Sequence, residues 1–496
     1  MTVDRAPLTE KLVSALEAIV GPQHVAAPET ALPEGVDGRL PQAVVFPKDP
    51  EEIGAILRYA NENRLAVIPV GGGTQLGLGH PPERAEIALS LSRLDQIVAH
   101  EPADMTVTVQ AGISIAALQA HLARHGQCLP YDPPLPGRAT IGGIIATREA
   151  GPLRQAFRGV ADRLLGIQVV TASGKIAKAG GRVVKNVSGY EMGRLYTGSL
   201  GTLAVIVEAT FKVQPSFPDA GMIAVSLPSV EAARPVIRAL LDSDAQPVLL
   251  ELLGPITVGA ASPAELLSGF PQHARAFASF EASDLPGGQS GALLVAGYAG
   301  TREEMEWQLA EAERLITPHL DKGAAMERIP WALGHQAVLQ AHRHDAQRVV
   351  PLAASAPLDS AGARAQQRAG TSPADDYVTC RAHVRASELV QVVSQALALA
   401  AGSGFALAYA AHAGTGIVRF HVPAGDEERL AWLIGSLREG SIGAGGFLIV
   451  ERAAPSLKAK ISVFGPLGKE FFLHKAIKER MDPIRILNPG RFLGNL

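Results

Sequence analysis

The chain has 496 residues, of which 47% are hydrophobic and 19% are charged, and its formal net charge is -3. This length predicts two or three domains at roughly 100 to 200 residues each. The nearly balanced charge, without a long block of one sign, gives no indication of a nucleic-acid partner. Cys128 and Cys380 are the only cysteines, too few for a disulfide framework or for the four thiolates of most iron–sulfur clusters.

The N-terminal segment is polar and acidic before it becomes amphipathic, so it lacks the pattern of a signal peptide. The Ala-rich stretch 396–411 is interrupted by glycine and is shorter than the ~20 apolar residues that a membrane span requires. We therefore expect a cytoplasmic protein without a membrane span, in which any membrane association comes through a partner.

In chain order, strands and helices alternate from Ala43. Residues 43–46 predict a strand, and Asp49 followed by Pro50 predicts the start of a helix. Further predicted elements are strands near 65–70, 87–91 and 105–110, a helix capped by Ser114, a hairpin around 173–174 and a long strand within 201–215.

After Pro215 longer alternations indicate an α+β domain, an antiparallel sheet with helices on one side. The segments 258–292 and 353–375 are rich in Ala, Gly, Ser and Pro and are predicted to be loops. The expected organisation is an N-terminal helical segment (1–40), a first domain (41–215) and a second domain (216–496).

The stretch "VIPVGGGTQLGLG", residues 67–79, places three glycines directly after a predicted strand. Leu76 breaks the G-x-G-x-x-G spacing of a dinucleotide fold, and Leu78 stands where a P-loop has lysine. A phosphate would have to be held by backbone N–H groups of the loop itself. A second small-residue turn, "ATIGGIIAT" at 139–147, could supply another close backbone approach. Two such loops fit a diphosphate-containing ligand, and two ordinary tight turns are the alternative.

Five segments in this order carry a family resemblance: "FPKDPEEIGAILRYANENRLAVIPVGGGTQ", "MTVTVQAGI", "DPPLPGRATIGGIIAT", "ADRLLGIQVVTASGKI" and "GSLGTLAVIVEATFKVQP". Over residues 41–215 the chain resembles the FAD-binding domain of the vanillyl-alcohol oxidase and p-cresol methylhydroxylase flavoproteins. Within this family, "GGRVVKNVSGYEMGRLYTGSLGTL" and the closing "MDPIRILNPGRFLGNL" are similar to the FAD-binding subunit of bacterial glycolate oxidase. The implied fold is a PCMH-type FAD-binding domain of two subdomains, followed by the α+β domain with an antiparallel sheet.

The resemblance implies FAD as the cofactor and assigns its binding residues. Some members attach FAD through a histidine where this chain has Thr74, so the FAD is expected to be non-covalent. The second turn departs from the family pattern through Arg148 and Glu149, and Val70 replaces an arginine found in relatives. The residues implied to bind FAD are Pro69, Gly71, Gly72, Gly73, Thr74 and Gln75 in the first loop, Thr140, Gly142, Gly143 and Ala146 in the second turn, and Gly201, Val205 and Ile206 beyond them.

The stretch "HAGTGIVRF" corresponds to a metal-binding motif of related D-lactate and 2-hydroxyglutarate dehydrogenases, His-x-Gly-Asp-Gly-Asn-x-His with a later Glu. His412 matches the first ligand, but Thr415 replaces the Asp and Arg419 replaces the second His. Glu451 could match the late Glu, whereas His421 lies about 6.6 Å further along the strand. A catalytic metal normally has about three protein ligands, so we expect none here.

His412 and Arg419 are the candidate catalytic residues, as the proton acceptor and the partner of a substrate carboxylate. The alternatives are a hydrogen-bonded structural histidine and a salt-bridged arginine. The cluster at 342–345, "HRHD", is predicted to be a solvated face.

The predicted function is oxidation of a small 2-hydroxy acid, of glycolate or D-lactate type, by hydride transfer to flavin N5. The resemblance implies a complex with a catalytic flavoprotein subunit and an iron–sulfur subunit. The alternatives are a non-catalytic FAD-binding accessory subunit and a self-sufficient oxidase of another alcohol.

Overall fold

The structure is a computed structural model that describes residues 5–182, 190–254, 291–320, 324–342 and 377–496. The predicted loops at 258–292 and 353–375 lie outside the described residues, apart from 291–292. Among the described helices, none combines the length and the apolar character needed to cross a bilayer.

The N-terminal half contains short strands and helices in close alternation. Its helices are α1 (Arg5–Val20), α2 (Pro28–Ala31), α3 (Pro50–Asn63), α4 (Ile115–Ala123), α5 (Ile141–Thr147), α6 (Arg154–Phe157) and α7 (Met192–Tyr196). Its strands are β1 (Val25–Ala26), β2 (Ala43–Val45), β3 (Val67–Val70), β4 (Ile87–Ser90), β5 (Ile97–Glu101), β6 (Thr106–Gln110), β7 (Gln127–Cys128), β8 (Leu164–Thr171), β9 (Ile176–Gly180), β10 (Ala204–Lys212) and β11 (Gln214–Pro215).

These strands form two main sheets, as expected for a domain of two subdomains. The first has the order β1-β2-β4-β3, and β2 and β3 both run parallel to β4. The second is antiparallel, in the order β5-β6-β10-β8-β9. A shared core of buried apolar side chains joins them, and α1 contributes Leu12, Leu16 and Val20 to it.

Helix caps predicted from the sequence are confirmed. The Asp49 carboxylate accepts a hydrogen bond from the N–H of Glu52 at 2.8 Å, and the Ser114 hydroxyl accepts one from Ala117 at 3.1 Å. The predicted turn at 139–147 is instead largely the helix α5. Thr140 caps its N-terminus through the N–H of Gly143, and Arg148 closes it in the left-handed conformation, with φ of 59°.

The C-terminal half is a second α+β unit. Its helices are α8 (Ala233–Leu241), α9 (Arg302–Ile316), α10 (Trp331–Ala341), α11 (Leu389–Gly402), α12 (Glu427–Gly443), α13 (Pro455–Lys460) and α14 (Phe471–Met481). Its strands are β12 (Asp219–Leu227), β13 (Leu249–Leu253), β14 (Ala292–Gly300), β15 (Ala325–Pro330), β16 (Tyr377–His383), β17 (Ala408–His412), β18 (Ile417–Pro423) and β19 (Phe447–Arg452).

These strands form one antiparallel sheet, as predicted, in the order β15-β12-β14-β13-β17-β18-β16-β19. Helices α8, α9, α11 and α12 bury one face of it in a large apolar core. The expectation that all helices lie on one side was wrong, because α10 packs on the opposite face through Val338 and Ala341. The sheet side chains on this second face are also apolar, so they too are buried against a helix.

The C-terminal segment returns to the first half of the chain. Ile486 and Leu487 are fully buried in the N-terminal core, and Leu487 forms a parallel bridge with Val67 of β3. The buried ammonium of Lys478 holds this return in place through the Asp482 carboxylate at 2.6 Å and the Leu487 carbonyl at 2.9 Å. The return brings residues 488–491 beside the glycine-rich loop.

Candidate functional site

A cleft that is partly open to solvent lies between the glycine-rich loop, α5 and the start of β10. It is lined by twelve of the thirteen residues that the family resemblance assigns to FAD. Val205 is the exception, being fully buried in the core behind the cleft. The twelve are Pro69, Gly71, Gly72, Gly73, Thr74, Gln75, Thr140, Gly142, Gly143, Ala146, Gly201 and Ile206.

The two small-residue segments pack against each other, and this contact requires glycine. A Cβ on Gly72 would lie 1.7 Å from the carbonyl oxygen of Arg138, and one on Gly71 would lie 2.3 Å from the Thr140 hydroxyl oxygen. The Arg138 guanidinium donates a hydrogen bond to the Gly72 carbonyl at 3.0 Å. Any side chain at these two glycines would therefore push the two segments apart.

The backbone of the first loop has unused donors. Among the described residues, no acceptor takes a hydrogen bond from the N–H groups of residues 71–76. A run of such N–H groups beside a concave surface suits an anion such as a diphosphate. The apolar lining, from Leu76, Leu78, Leu91 and Leu200, suits the ring systems of a large cofactor.

Sequence reasoning did not single out Asn488 and Arg491, which also line the cleft. The Arg491 guanidinium donates to the carbonyls of Leu76 and Leu78, each at 2.6 Å, and so fixes the end of the first loop. Asn488 donates to the carbonyl of Leu200 at 2.6 Å. The sequence signal for both residues is the closing segment "LNPGRF".

Next to the cleft, the end of α5 meets the sheet of the C-terminal half through a buried ion network. Arg419 on β18 donates from Nε to Glu451 at 2.8 Å and from Nη2 to Glu149, which lies three residues beyond Ala146 of the cleft. Arg381 on β16 contacts Glu451 at 2.9 Å and Glu149 at 3.7 Å. Burial raises the pKa of Glu149, but the nearby Arg419 and Arg381 outweigh it and bring the pKa to about 2.

The three nitrogen atoms of the Arg419 guanidinium all face protein partners, since Nη1 lies 3.3 Å from Nδ1 of His342. The prediction that residues 342–345 form a solvated face was wrong for His342, which is 4% exposed. His342 directly follows α10, the helix that packs on the second face of the sheet, and this packing places its side chain in the interior. Residues 343–345 lie outside the described residues.

His342 and His412 stack on each other, with ring centroids 4.3 Å apart, and share the buried carboxylate of Glu251. Glu251 Oε2 lies 2.8 Å from His342 Nε2, and Oε1 lies 2.7 Å from His412 Nδ1. Burial is the main reason why the pKa of His412 is well below the ordinary range and that of His342 is about 3. Both imidazoles are therefore neutral at pH 7.

The hydrogen-bond network assigns the tautomers. An arginine only donates, so His342 Nδ1, which faces Arg419, is the unprotonated nitrogen and Nε2–H donates to Glu251. Burial and the nearby Asp132 carboxylate raise the pKa of Glu251 well above its ordinary value, and Arg419 and Arg154 oppose this rise only in part. His412 Nδ1 lies against Glu251 Oε1, and its Nε2 has no hydrogen-bond partner among the described residues.

Glu251, His342 and His412 place their ligand atoms within 4.8 Å of one another, and two histidines with one glutamate can bind zinc. The Arg419 cation at 3.3 Å from His342 opposes a metal ion there. Arg419 also occupies the place that the motif gives to a second histidine, and Glu451 is committed to Arg419 and Arg381. The expectation of no catalytic metal stays a prediction.

The chain belongs to the FAD-linked oxidases. The model of their C-terminal domain matches residues 219–492, more than half of the chain, and the FAD binding domain model matches residues 41–180. The fold, the cleft and these matches together define an FAD-dependent oxidoreductase.

Individual relatives agree with this assignment. The glycolate oxidase subunit GlcD of Bacillus subtilis is 27% identical over 91% of this chain and 89% of its own length. The D-2-hydroxyglutarate dehydrogenase of Xanthomonas citri pv. viticola is 35% identical over 40% of this chain, and the chain spans only 42% of that relative. The structure of p-cresol methylhydroxylase superimposes with a TM-score of 0.70 at 16% identity, covering 99% of this chain and 97% of the other, which shows the shared fold.

Proposed function

We propose that this protein oxidises a small 2-hydroxy acid, with FAD bound in the cleft. The observation that carries the proposal is the unpartnered Nε2 of buried His412, held by Glu251 beside a cluster of arginines next to the cleft wall. Bound FAD would supply the acceptor for the hydride of the substrate C–H bond. The protein's task is to bind the acid, orient it and accept the hydroxyl proton.

The FAD would be held by the residues assigned from the sequence. The loop Gly71–Gln75 offers its backbone N–H groups to the diphosphate, and Thr140, Gly142, Gly143 and Ala146 form the opposite wall. Gly201 and Ile206 complete the lining, and Val205 supports it from the core. Thr74 offers no imidazole for a covalent bond, so the FAD is non-covalent.

His412 would accept the hydroxyl proton at Nε2. In its ionised form Glu251 would hold the Nδ1–H and stabilise the positive charge that forms on the ring, as a carboxylate does for a catalytic histidine. His412 is 1% exposed, so the substrate must displace part of its surroundings to reach Nε2. The assignment of His412 as the proton acceptor rests on the position of its unpartnered Nε2 and on the neutral state of its imidazole ring.

The arginines would hold the substrate carboxylate. The network contains three positive charges, on Arg154, Arg381 and Arg419. It contains two negative charges, on Glu149 and Glu451, so one positive charge is in excess. Arg381 is 7% exposed and its Nε donates to no described residue. We therefore assign the substrate carboxylate to Arg381, and we assign Arg419 the positioning of Glu149, Glu451 and His342.

Electrons would leave through partner proteins. Two cysteines cannot bind an iron–sulfur cluster of four thiolates, so an iron–sulfur route must lie in another subunit. The similarity to a glycolate oxidase subunit supports membership in a complex of this kind, with a second flavoprotein subunit.

The test is anaerobic reduction of the purified FAD-loaded chain by a panel of glycolate, D-lactate, L-lactate and D-2-hydroxyglutarate, followed by flavin absorbance. Bleaching by one acid and not by its enantiomer or its 2-oxo analogue supports the proposal. Persistence of the flavin band with all acids, alone and with the partner subunits, favours an accessory subunit. Rapid oxygen consumption with a neutral alcohol favours the self-sufficient oxidase.

A further inference from the structure

Three histidines from different parts of the chain converge on the outer side of the first half of the protein. His100 lies on β5, the edge strand of the second sheet, His121 lies in the last turn of α4, and His125 follows that helix. Their ring centroids are 4.8 to 5.6 Å apart, and one nitrogen from each lies within 4.8 Å of the other two. None of the three lines the cleft.

The orientation of His100 is fixed by a buried amide. Gln127, 5% exposed, donates from Nε2 to the carbonyl of Pro102 at 2.8 Å, so its Oε1 is the atom that faces His100 at 2.9 Å. That oxygen only accepts, and the proton of His100 is therefore on Nε2. The unprotonated Nδ1 of His100 then points toward His121, 3.1 Å from its Nε2.

This arrangement is the one that metal-binding histidines use. Such a histidine usually donates its other ring N–H to an oxygen acceptor, which fixes the tautomer and directs the free nitrogen at the ion. Here Gln127 provides that acceptor. His121 and His125 are four residues apart, so their rings lie on the same side of the helix end.

We propose that His100, His121 and His125 form a binding site for a divalent transition-metal ion of the zinc class, separate from the FAD cleft. Three neutral imidazoles with water in the fourth position match the coordination that zinc accepts. Tetrahedral zinc with bonds of about 2.0–2.1 Å keeps ligand nitrogens about 3.4 Å apart. The nitrogens here lie within 4.8 Å of one another, so they must close by up to about 1.4 Å, while the His100–His121 pair at 3.1 Å must open slightly.

The site is accessible, because His125 is exposed and the other two rings are half-buried. A bound ion would link the edge strand β5 to the end of α4. No carboxylate takes part in the set, so the class of ion is selected by nitrogen ligands, which favour zinc, nickel and copper over magnesium and calcium.

The test uses the untagged FAD-loaded full chain, stripped with chelator, and titrates Zn²⁺ by calorimetry and Co²⁺ by visible absorption. We expect one site of micromolar or tighter affinity, with the visible bands of nitrogen-ligated tetrahedral Co²⁺. His125→Gln is the principal variant, because an exposed side chain can be changed without loss of folding, and it should weaken Zn²⁺ binding at least tenfold. His319→Gln is the matched control and should leave the affinity unchanged.

The buried set of Glu251, His342 and His412 is the rival location, and His412→Gln separates the two. Zinc binding that survives His412→Gln and is lost in His125→Gln and His121→Gln supports the proposal. Binding that survives both surface variants, binding that is lost only in His412→Gln, or no binding by the wild type would each overturn it.

Discussion

Glu251 and His412 lie opposite each other on the neighbouring strands β13 and β17, with 2.7 Å between Oε1 and Nδ1. If His412 Nε2 accepts the substrate proton, His412→Gln should slow anaerobic flavin reduction by roughly 10²- to 10⁴-fold. The flavin spectrum and the affinity for FAD should not change, because His412 does not line the cleft. Stopped-flow absorbance at saturating substrate measures the rate.

The pH dependence of the wild type gives a second readout. Burial holds the pKa of His412 well below its usual 6.5, so the ring stays neutral and able to accept a proton at pH 6.5 and below. The reduction rate should therefore begin to fall only under pH 6.5.

His421→Gln, on the neighbouring strand, is the control for His412→Gln. A His412→Gln variant that reduces its flavin as fast as this control would remove His412 from the mechanism.

The sequence predicted most of the first domain. The helix caps at Asp49 and Ser114 could be predicted because a cap depends only on residues close by in the sequence. The same is true of the periodic spacing of apolar residues in the helices and strands around them. The glycine loop was also recognisable as a run of three glycines after a predicted strand, and the contact of Gly72 with Arg138 explains why glycine is required there. Family resemblance rather than spacing connected this loop to FAD.

The ion network was not predictable in the same way. Glu149 and Arg419 are 270 residues apart in the chain, and nothing near either residue indicates the partner. Arg381 lies in an ordinary alternating strand, and His342 follows a helix whose burial depends on the far face of the sheet. Such contacts depend on tertiary packing, which no local pattern encodes.

Gly72→Ala tests the contact between the two walls of the cleft. A methyl group 1.7 Å from the Arg138 carbonyl oxygen forces the loops apart, and overpacking of this kind costs about 1–3 kcal/mol. The affinity for FAD should fall about tenfold or more, measured by quenching of flavin fluorescence. Gly137→Ala is the matched control, since its added Cβ meets no atom within 4 Å. Equal affinities for the two variants would contradict the assigned role of the loop.

The linkage of FAD to the protein is tested by denaturation. Thr74 cannot form the bond that a histidine forms in some relatives, so acid precipitation of the loaded protein should release all of the flavin into the supernatant. The pellet should show no flavin fluorescence in a denaturing gel. Flavin retained in the washed pellet would show a covalent bond at another residue.

Glu149→Gln tests the network that joins the end of α5 to the sheet of the C-terminal half. Removing a buried carboxylate leaves Arg419 and Arg381 undercompensated, and breaking such a pair costs about 3–5 kcal/mol. The variant should melt well below the wild type at pH 7, whereas Glu311→Gln, in a surface ion pair with the exposed Arg314, should melt close to it. Differential scanning calorimetry or circular dichroism measures both.

The pH dependence of this difference follows from the lowered pKa of Glu149. Its pKa is about 2 in the folded protein and 4.5 as the ordinary value, so ionised Glu149 stabilises the fold. That contribution is complete above pH 4.5 and is lost as the pH falls from 4.5 toward 2, because the carboxylate becomes protonated. The gap in unfolding free energy between wild type and Glu149→Gln should be constant from pH 8 to pH 5 and should narrow below it. A gap that widens on acidification would show that Glu149 is protonated in the native network.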